Sequence, residues 1–407
     1  MRKRRVTRKK KRKRRSRRKK PNVLAKVLRE STPLLLLTVI GGAFAGSVLG
    51  KMQDILVIVP GVFVLIPAIL GLRGNVGIAF GSRLSTLLHL GLMKSSLRLT
   101  SLLLNNVFGA FSLSFSFSAF FGILAHFLCL LIGLPSAGIT KLTLIGFMSG
   151  ILASMVMIPF TTILTIFSFR KGIDPDDIIS PAIAVFGDGI AMLSIYLVTI
   201  LVQKWTVPDL SLVIVALLAA KMRFPSRYRF VRIFLESSPI VVMCGLLGIG
   251  AGLFLHHHQY AFIIAPYLLV LLPQLVSKVG SIGSISGMRL TSGLYIGYAK
   301  PFIWNKYVRQ TLIAALLLSL ILVIPVALIT YLSACILNIG KPVFTVLLIF
   351  TLAGMVPLSF GASFVSFVIA SIAKRIRLDP SNVVAPLITS LGDMSGVFIF
   401  VLLLQFL

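Results

Sequence analysis

Apolar residues fill long stretches of this chain, and short polar or proline-bearing segments break them at regular intervals. The first half gives five such stretches, at about 33–50, 55–72, 103–133, 142–168 and 178–202. The second half gives five more, at about 239–255, 261–276, 311–336, 343–371 and 383–407. A hydrocarbon core of about 30 Å takes roughly 20 helical residues, so these runs predict membrane-spanning helices. The run at 261–276 is short, and an extension toward Gly280 is expected. A further apolar run at 207–222 is long enough to cross where the bilayer accommodates it. FSLSFSFSAFF (111–121) alternates with period two, as a strand would. An open strand edge is not viable in lipid, so this stretch also reads as helix.

The second half repeats the first. Glu30-Ser31-Thr32-Pro33 matches Glu236-Ser237-Ser238-Pro239, and IPAILGLRGNVGIAFGSRLSTLLHLG meets LPQLVSKVGSIGSISGMRLTSGLYIG without a gap. Gly42, Gly46, Pro60, Pro67, Arg83 and Gly91 fall on Gly248, Gly252, Pro266, Pro273, Arg289 and Gly297. Glycines spaced by four, Gly42-Gly46-Gly50 and Gly248-Gly252, place small residues on one helix face, where backbones can pack closely. The expected organisation is a basic tail (1–29), a first five-helix unit (30–203), a linker helix with a basic loop (204–232) and a second five-helix unit (233–407).

Composition agrees with a membrane protein. Of the 407 residues 57% are hydrophobic and 13% charged, against about a quarter charged in soluble proteins; mean hydropathy is +1.00. The net charge of +31 is uneven, because residues 1–20 hold 16 of the 41 Lys and Arg and no acid. Such a block cannot pack and is expected to be disordered. Anionic lipid is its expected partner, at about 1 kcal/mol per basic residue near the surface; no soluble reader domain follows it, so specific nucleic-acid binding is not expected.

Charge also orients the chain. With the N-terminus inside, and with 207–222 crossing, 37 Lys and Arg fall inside and four outside: Lys51, Lys141, Lys204 and Lys341. Without that crossing the basic loops of the second unit would face outward. The expected fold is therefore an all-α polytopic membrane protein of about 11 spans: two homologous five-helix units in parallel orientation, joined by one linker helix. The N-terminus is expected in the cytoplasm and the C-terminus outside, in the cell membrane.

The candidate chemistry lies in a repeated acidic phrase, DPDDIISPAIAVFGD (174–188) and DPSNVVAPLITSLGD (379–393). Asp174, Asp176 and Asp177 suit a helix start, where acids favour the positive dipole end. Pro181 and Pro386 are expected in the first turn, where a missing N–H costs little, and Gly187 and Gly392 precede the terminal aspartates. Counted from about Ile178, Asp188 lies roughly 15 Å into its helix at 1.5 Å per residue, about halfway through the core. Asp393 is equivalent. Intramembrane aspartates are expensive and point to a functional site. Two carboxylates in one dry place repel unless a cation joins them. Oxygen-only ligands at a low count point to Mg²⁺, which keeps several waters. Backbone carbonyls at Ala184 and Thr389, one turn earlier, could serve ion-bound waters.

These motifs resemble the membrane domain of MgtE-type magnesium transporters, in the tandem form of the animal solute carriers for magnesium. GLRGNVGIAFGSRLSTLLHLG (71–91), the acidic phrase and their repeats carry the resemblance across most of residues 30–407. It implies a pore between the two units, with Asp188 and Asp393 binding a transported Mg²⁺ and no organic cofactor. It also implies that Asn75, Ser85 and Thr86, with Ser281, Thr291 and Ser292, lie near the cytoplasmic pore mouth. A fused pseudo-dimer of this kind is able to act as a monomer. Asn75 becomes Ser281 in the second copy, so that contact is not symmetric. Gly77 stands where the animal relatives carry an acid. Residues 1–29 do not match the N and CBS domains of bacterial MgtE, so gating by cytosolic Mg²⁺ is not carried over.

Other readings were weighed against transport. An intramembrane aspartyl protease would use unlike GxGD motifs, but Val185 and Ser390 stand where its glycine belongs and both phrases are copies of one another. Within transport, a channel and a cation-coupled exchanger both remain open. Cys129, Cys244 and Cys335 stand singly in apolar runs and are expected to be buried and inert. His256-His257-His258 is expected in a solvated external loop, and His89 and His126 in packing roles. Arg83 and Arg289 are expected to tie loop carbonyls or lipid phosphate.

Overall fold

The computed structural model describes residues 23–96, 98–172, 175–204, 230–259, 262, 265–375 and 380–405. Residues 1–22 of the basic tail, the 207–222 run, Asp174 and Asp379 lie outside the described residues, while 23–29, expected as disordered tail, are the first turns of a helix. Within the first unit, helices α1 (Val23–Lys51), α3 (Val62–His89), α4 (Ser101–Ile132), α5 (Ile139–Arg170) and α6 (Pro175–Gln203) are joined by short connections, and a small helix α2 (Gln53–Ile58) follows α1. The second unit holds α7 (Phe230–His257), α8 (Tyr267–Ile296), α9 (Lys306–Ile336), α10 (Phe344–Phe350), α11 (Val356–Arg375) and α12 (Pro380–Leu404). A π-helical turn, Thr351–Met355, joins α10 to α11 in one span. Ten helices among the described residues are long and apolar enough to cross a membrane. The protein is a multi-pass helical membrane protein, and the lipid bilayer is its environment.

Local chemistry fixes several helix ends. Thr100 Oγ1 accepts the Leu103 N–H at 3.3 Å and starts α4. At the equivalent place in the repeat, Asn305 Oδ1 accepts the Val308 N–H at 3.0 Å and starts α9. Gly133 ends α4 at φ +75°, the left-handed geometry that favours glycine. FSLSFSFSAFF is helical, inside α4, as lipid requires.

Glycine contacts give the relative direction of the helices. A methyl group built on Gly41 would lie 2.0 Å from the Val185 carbonyl oxygen, and Gly189 faces Phe44, so α1 and α6 run parallel. Gly77 faces Ile183 and Gly81 faces Ile179, so α3 runs against α6. Gly42 faces Gln274 and Gly46 faces Val270, so α8 runs against α1. It follows that α3 and α8 point the same way, and the two units are parallel, as the charge count required. The first helices are exchanged between the units: α1 packs on α8 and α9, and α7 on α3 and α4. By the same chain of contacts, Gln203 and Phe230 lie at opposite faces of the bundle.

The second span of each unit is longer and set later than hydropathy placed it. The expected spans 55–72 and 261–276 are in fact Val62–His89 and Tyr267–Ile296. Hydropathy ends these spans near Leu72 and toward Gly280, but GLRGNVG and SKVGSIG are both mid-helix. These helices are the most enclosed, with 72% and 78% of their most apolar window buried, against 28% for α4. A helix surrounded by protein needs no continuous lipid-compatible surface, so polar residues and glycines did not end it. As a result Arg73 and Lys278, counted as loop charges, lie inside the bundle at 4% and 0% exposure.

Candidate cation site

Asp188 and Asp393 are half-buried, near the middle of α6 and α12, and are close enough to interact electrostatically. Each faces the other unit. The Ser277 hydroxyl of α8 is directed at Asp188, and the Lys278 ammonium lies within electrostatic range of it. Asp393 Oδ2 faces α3, 3.9 Å from where a methyl on Gly71 would stand. Ser277 and Gly71 are equivalent positions of the repeat, so a single geometry is built twice across the boundary between units.

The linings differ. Around Asp188 they include Lys278, whose Nζ donates to the Thr38 carbonyl of α1 at 2.8 Å. Around Asp393 they include Cys244 of α7, whose thiol faces Asp393, Ser390 and Asn75 and approaches the Pro386 carbonyl at 3.6 Å. The Asn75 amide nitrogen and the Ser390 hydroxyl are buried without a hydrogen-bond partner among the described residues. Cys244 and Thr38 are equivalent, as are Asn75 and Ser281. The site is two-fold in its aspartates and uneven in their neighbours.

Close helix contact holds the aspartates in place. A methyl on Gly392 would lie 3.0 Å from the Gly280 Cα, where α12 crosses α8. Gly187 meets Ile183 and Met157 at van der Waals distance. Thr389 is near, its Oγ1 donating to the Pro386 carbonyl at 2.9 Å, and its backbone packs on Gly280. The Ala184 backbone lies one turn before Asp188 in α6. The prolines require a correction: α6 begins at Pro175 and α12 at Pro380, so Pro181 and Pro386 sit past the first turn. Pro175, not Pro181, takes the helix-start position.

Of the residues expected at a pore mouth, Asn75 belongs with the aspartates, and Ser281 is half-buried. Ser85, buried, and Thr86, exposed, lie ten and eleven residues further along α3, roughly 15 Å beyond Asn75. Thr86 Oγ1 donates to the Ser82 carbonyl at 3.0 Å. Buried Thr291 and exposed Ser292 are the counterparts on α8. These four are not brought to the aspartates; they lie toward the end where α6 and α12 begin. Arg83 and Arg289 bond side chains of the first helices: Arg289 pairs with Glu30 at 2.7 Å, and Arg83 donates to Ser237 at 3.1 Å beside Glu236.

Three other expectations also changed. His256 is buried at the end of α7, bonded to the Pro135 carbonyl at 3.0 Å, so the triad is not a solvated loop. Cys335 is exposed, while Cys244 is buried as expected, beside Asp393 in the site's lining. Arg73 reaches Ser154 and Ser118 in a small cavity also lined by Ser114, Gly77 and Thr161. His126 bonds Ser136 at 2.8 Å and His89 packs edge-on against Phe169, as expected of packing residues.

Fold and site together define a class: a helical membrane transporter in which two repeats meet around a pair of acidic side chains. The sequence profile of the MgtE family, described as divalent cation transporter, matches residues 66–199 and 272–403, once in each unit. The chain belongs to this family, whose members are transporters and not enzymes. It is similar to Solute carrier family 41 member 2 of Xenopus laevis, 28% identical over 198 residues that cover 46% of this chain and 32% of that protein. It is similarly close to Solute carrier family 41 member 2 of Homo sapiens, 27% identical over 203 residues, 45% of this chain and 33% of that protein. The match thus spans about a third of these relatives' length. No solved structure matches.

Proposed function

We propose that this chain carries Mg²⁺ across the membrane between its two units, with Asp188 and Asp393 as the carboxylates that hold the hydrated ion. The observation that carries this reading is that two aspartates, one from each unit and both at mid-span, each point at the second helix of the opposite unit. Two carboxylates brought together repel, and a dication between them removes that cost. Among the described residues no group of three or more His, Cys, Asp or Glu could hold a metal. A dry cage of side-chain ligands is therefore not the design. An ion that keeps most of its water and accepts one or two carboxylates suits it, and that is the coordination habit of Mg²⁺. The carbonyls of Ala184 and Thr389, and the amide of Asn75, would meet the ion's waters.

In this reading the face bearing Lys94, Arg170, Lys171, Lys300, Lys374 and Arg375 is cytoplasmic, by the excess of basic residues there. That Gln203 and Phe230 lie at opposite faces of the bundle supports the parallel orientation of the two units. The fused units act as one monomeric transporter, in the cell membrane, with the basic tail on anionic lipid.

Mg²⁺ uptake into proteoliposomes tests the site. Asp188→Asn and Asp393→Asn should each lower uptake at least tenfold with normal yields of folded protein. Wild-type uptake in both variants would reject it.

A further inference from the structure

We propose that Lys278 is a tethered cation of the central site, balancing Asp188 when no ion is bound and competing with the divalent ion as it enters. This rests on Asp188 and Asp393 being the ion-binding carboxylates, and it adds a residue that sets their affinity. Lys278 is fully enclosed, at 0% exposure, in the middle of α8. A buried ammonium is costly unless a negative or strongly polar group meets it. One of its three donors goes to the Thr38 carbonyl at 2.8 Å. That bond supplies a dipole, not a charge. The charge that Lys278 senses is Asp188. The lysine thus stands between a resting point on α1 and the carboxylate expected to receive the ion.

The repeat shows that the fold does not ask for a lysine here. The equivalent position in the first unit is Leu72, which is buried at 1% exposure. A shorter, apolar side chain therefore fits this place in the same architecture. Lys278 breaks the symmetry at the site itself. Its ammonium is a compact charge on a flexible four-carbon stem, able to shift without moving the helix. With the lysine in place, the two carboxylates and one ammonium carry a net single negative charge. A divalent ion at Asp188 must then bind within electrostatic range of a like charge, and its affinity falls.

Lys278→Leu, which copies the first unit, removes the competitor; Lys278→Arg keeps the charge. Mg²⁺ binding to purified protein and the Mg²⁺ dependence of uptake are both measured. Lys278→Leu should tighten Mg²⁺ binding about tenfold or more, with half-maximal uptake moving to correspondingly lower Mg²⁺. Lys278→Arg, which keeps a cation at this place, should not tighten Mg²⁺ binding. Binding in Lys278→Leu that is unchanged or weaker overturns the proposal, as does failure of both Lys278→Leu and Lys278→Met to fold. If Asp188→Asn and Asp393→Asn leave Mg²⁺ binding intact, the site itself is wrong, whatever Lys278 does.

Discussion

Gly46 of α1 lies so close to Val270 of α8 that a methyl in place of its hydrogen would stand 2.0 Å from the Val270 carbonyl oxygen. The equivalent pair in the repeat is just as close: a methyl on Gly252 of α7 would stand 2.4 Å from the Val64 carbonyl oxygen of α3. Residue and partner exchange roles between the units, as they do across a two-fold axis. These two seams join each unit's first helix to the other unit's second. The second helices, α3 and α8, are the ones that face the aspartates. The seams therefore set the width of the site.

Gly46→Ala and Gly252→Ala should each force the backbones apart and cost about 1–3 kcal/mol. Thermal unfolding in detergent reads the effect as a lower midpoint. Gly74→Ala is the control, since nothing lies within 4 Å of the added methyl. That change should be neutral or stabilise by up to about 1 kcal/mol, the ordinary helix gain over glycine. Equal behaviour of all three variants would refute the seams.

How much of this could be read from the sequence follows from where each residue faces. The repeat, the parallel units and the two aspartates were legible because they rest on periodicity, proline and glycine spacing, and charge count. The cross-unit neighbours were not. Ser277, Lys278 and Gly71 reach the aspartates from the opposite unit, and a contact between units leaves no local trace. Lys278 and Arg73 were hidden for a second reason: a charge among glycines reads as loop when hydropathy assumes lipid on the outside. The one available clue was the offset of 206, which pairs Lys278 with an apolar Leu72.

The ion pair between Arg289 and Glu30, at 2.7 Å, should count for little. Its side chains are 24% and 50% exposed, and exposed pairs contribute about 0–1 kcal/mol. Arg289→Ala should lower thermal stability only slightly and leave Mg²⁺ uptake near wild type. A large loss of uptake would move Arg289 from an anchoring contact to the ion path.

Orientation is open to direct labelling. Lys171 and Lys341 are exposed, one beyond the end of α5 and the other just before α10 begins, at opposite faces of the bundle. In intact cells an impermeant thiol reagent should label Lys341→Cys, and should reach Lys171→Cys only after permeabilisation. The reverse pattern would invert the topology.

Arg73 has an environment unlike that of Lys278. It is 4% exposed and contacts the hydroxyls of Ser154 and Ser118, and its Nε has no hydrogen-bond partner among the described residues. Guanidinium stays charged in proteins, and a buried charge without an opposite charge is strongly destabilising. The small cavity beside it, lined by Gly77 and Ser114, offers polar atoms but no carboxylate. Arg73→Met keeps the long stem that packs in the helix interior and removes the charge. It should raise the unfolding midpoint, corresponding to roughly 1–4 kcal/mol, by the same logic through which apolar replacements of buried charges stabilise other cores. Because its cavity lies between α3 and α5, within the first unit, uptake should persist. A lower midpoint in Arg73→Met would mean that the serine contacts outweigh the burial of the charge.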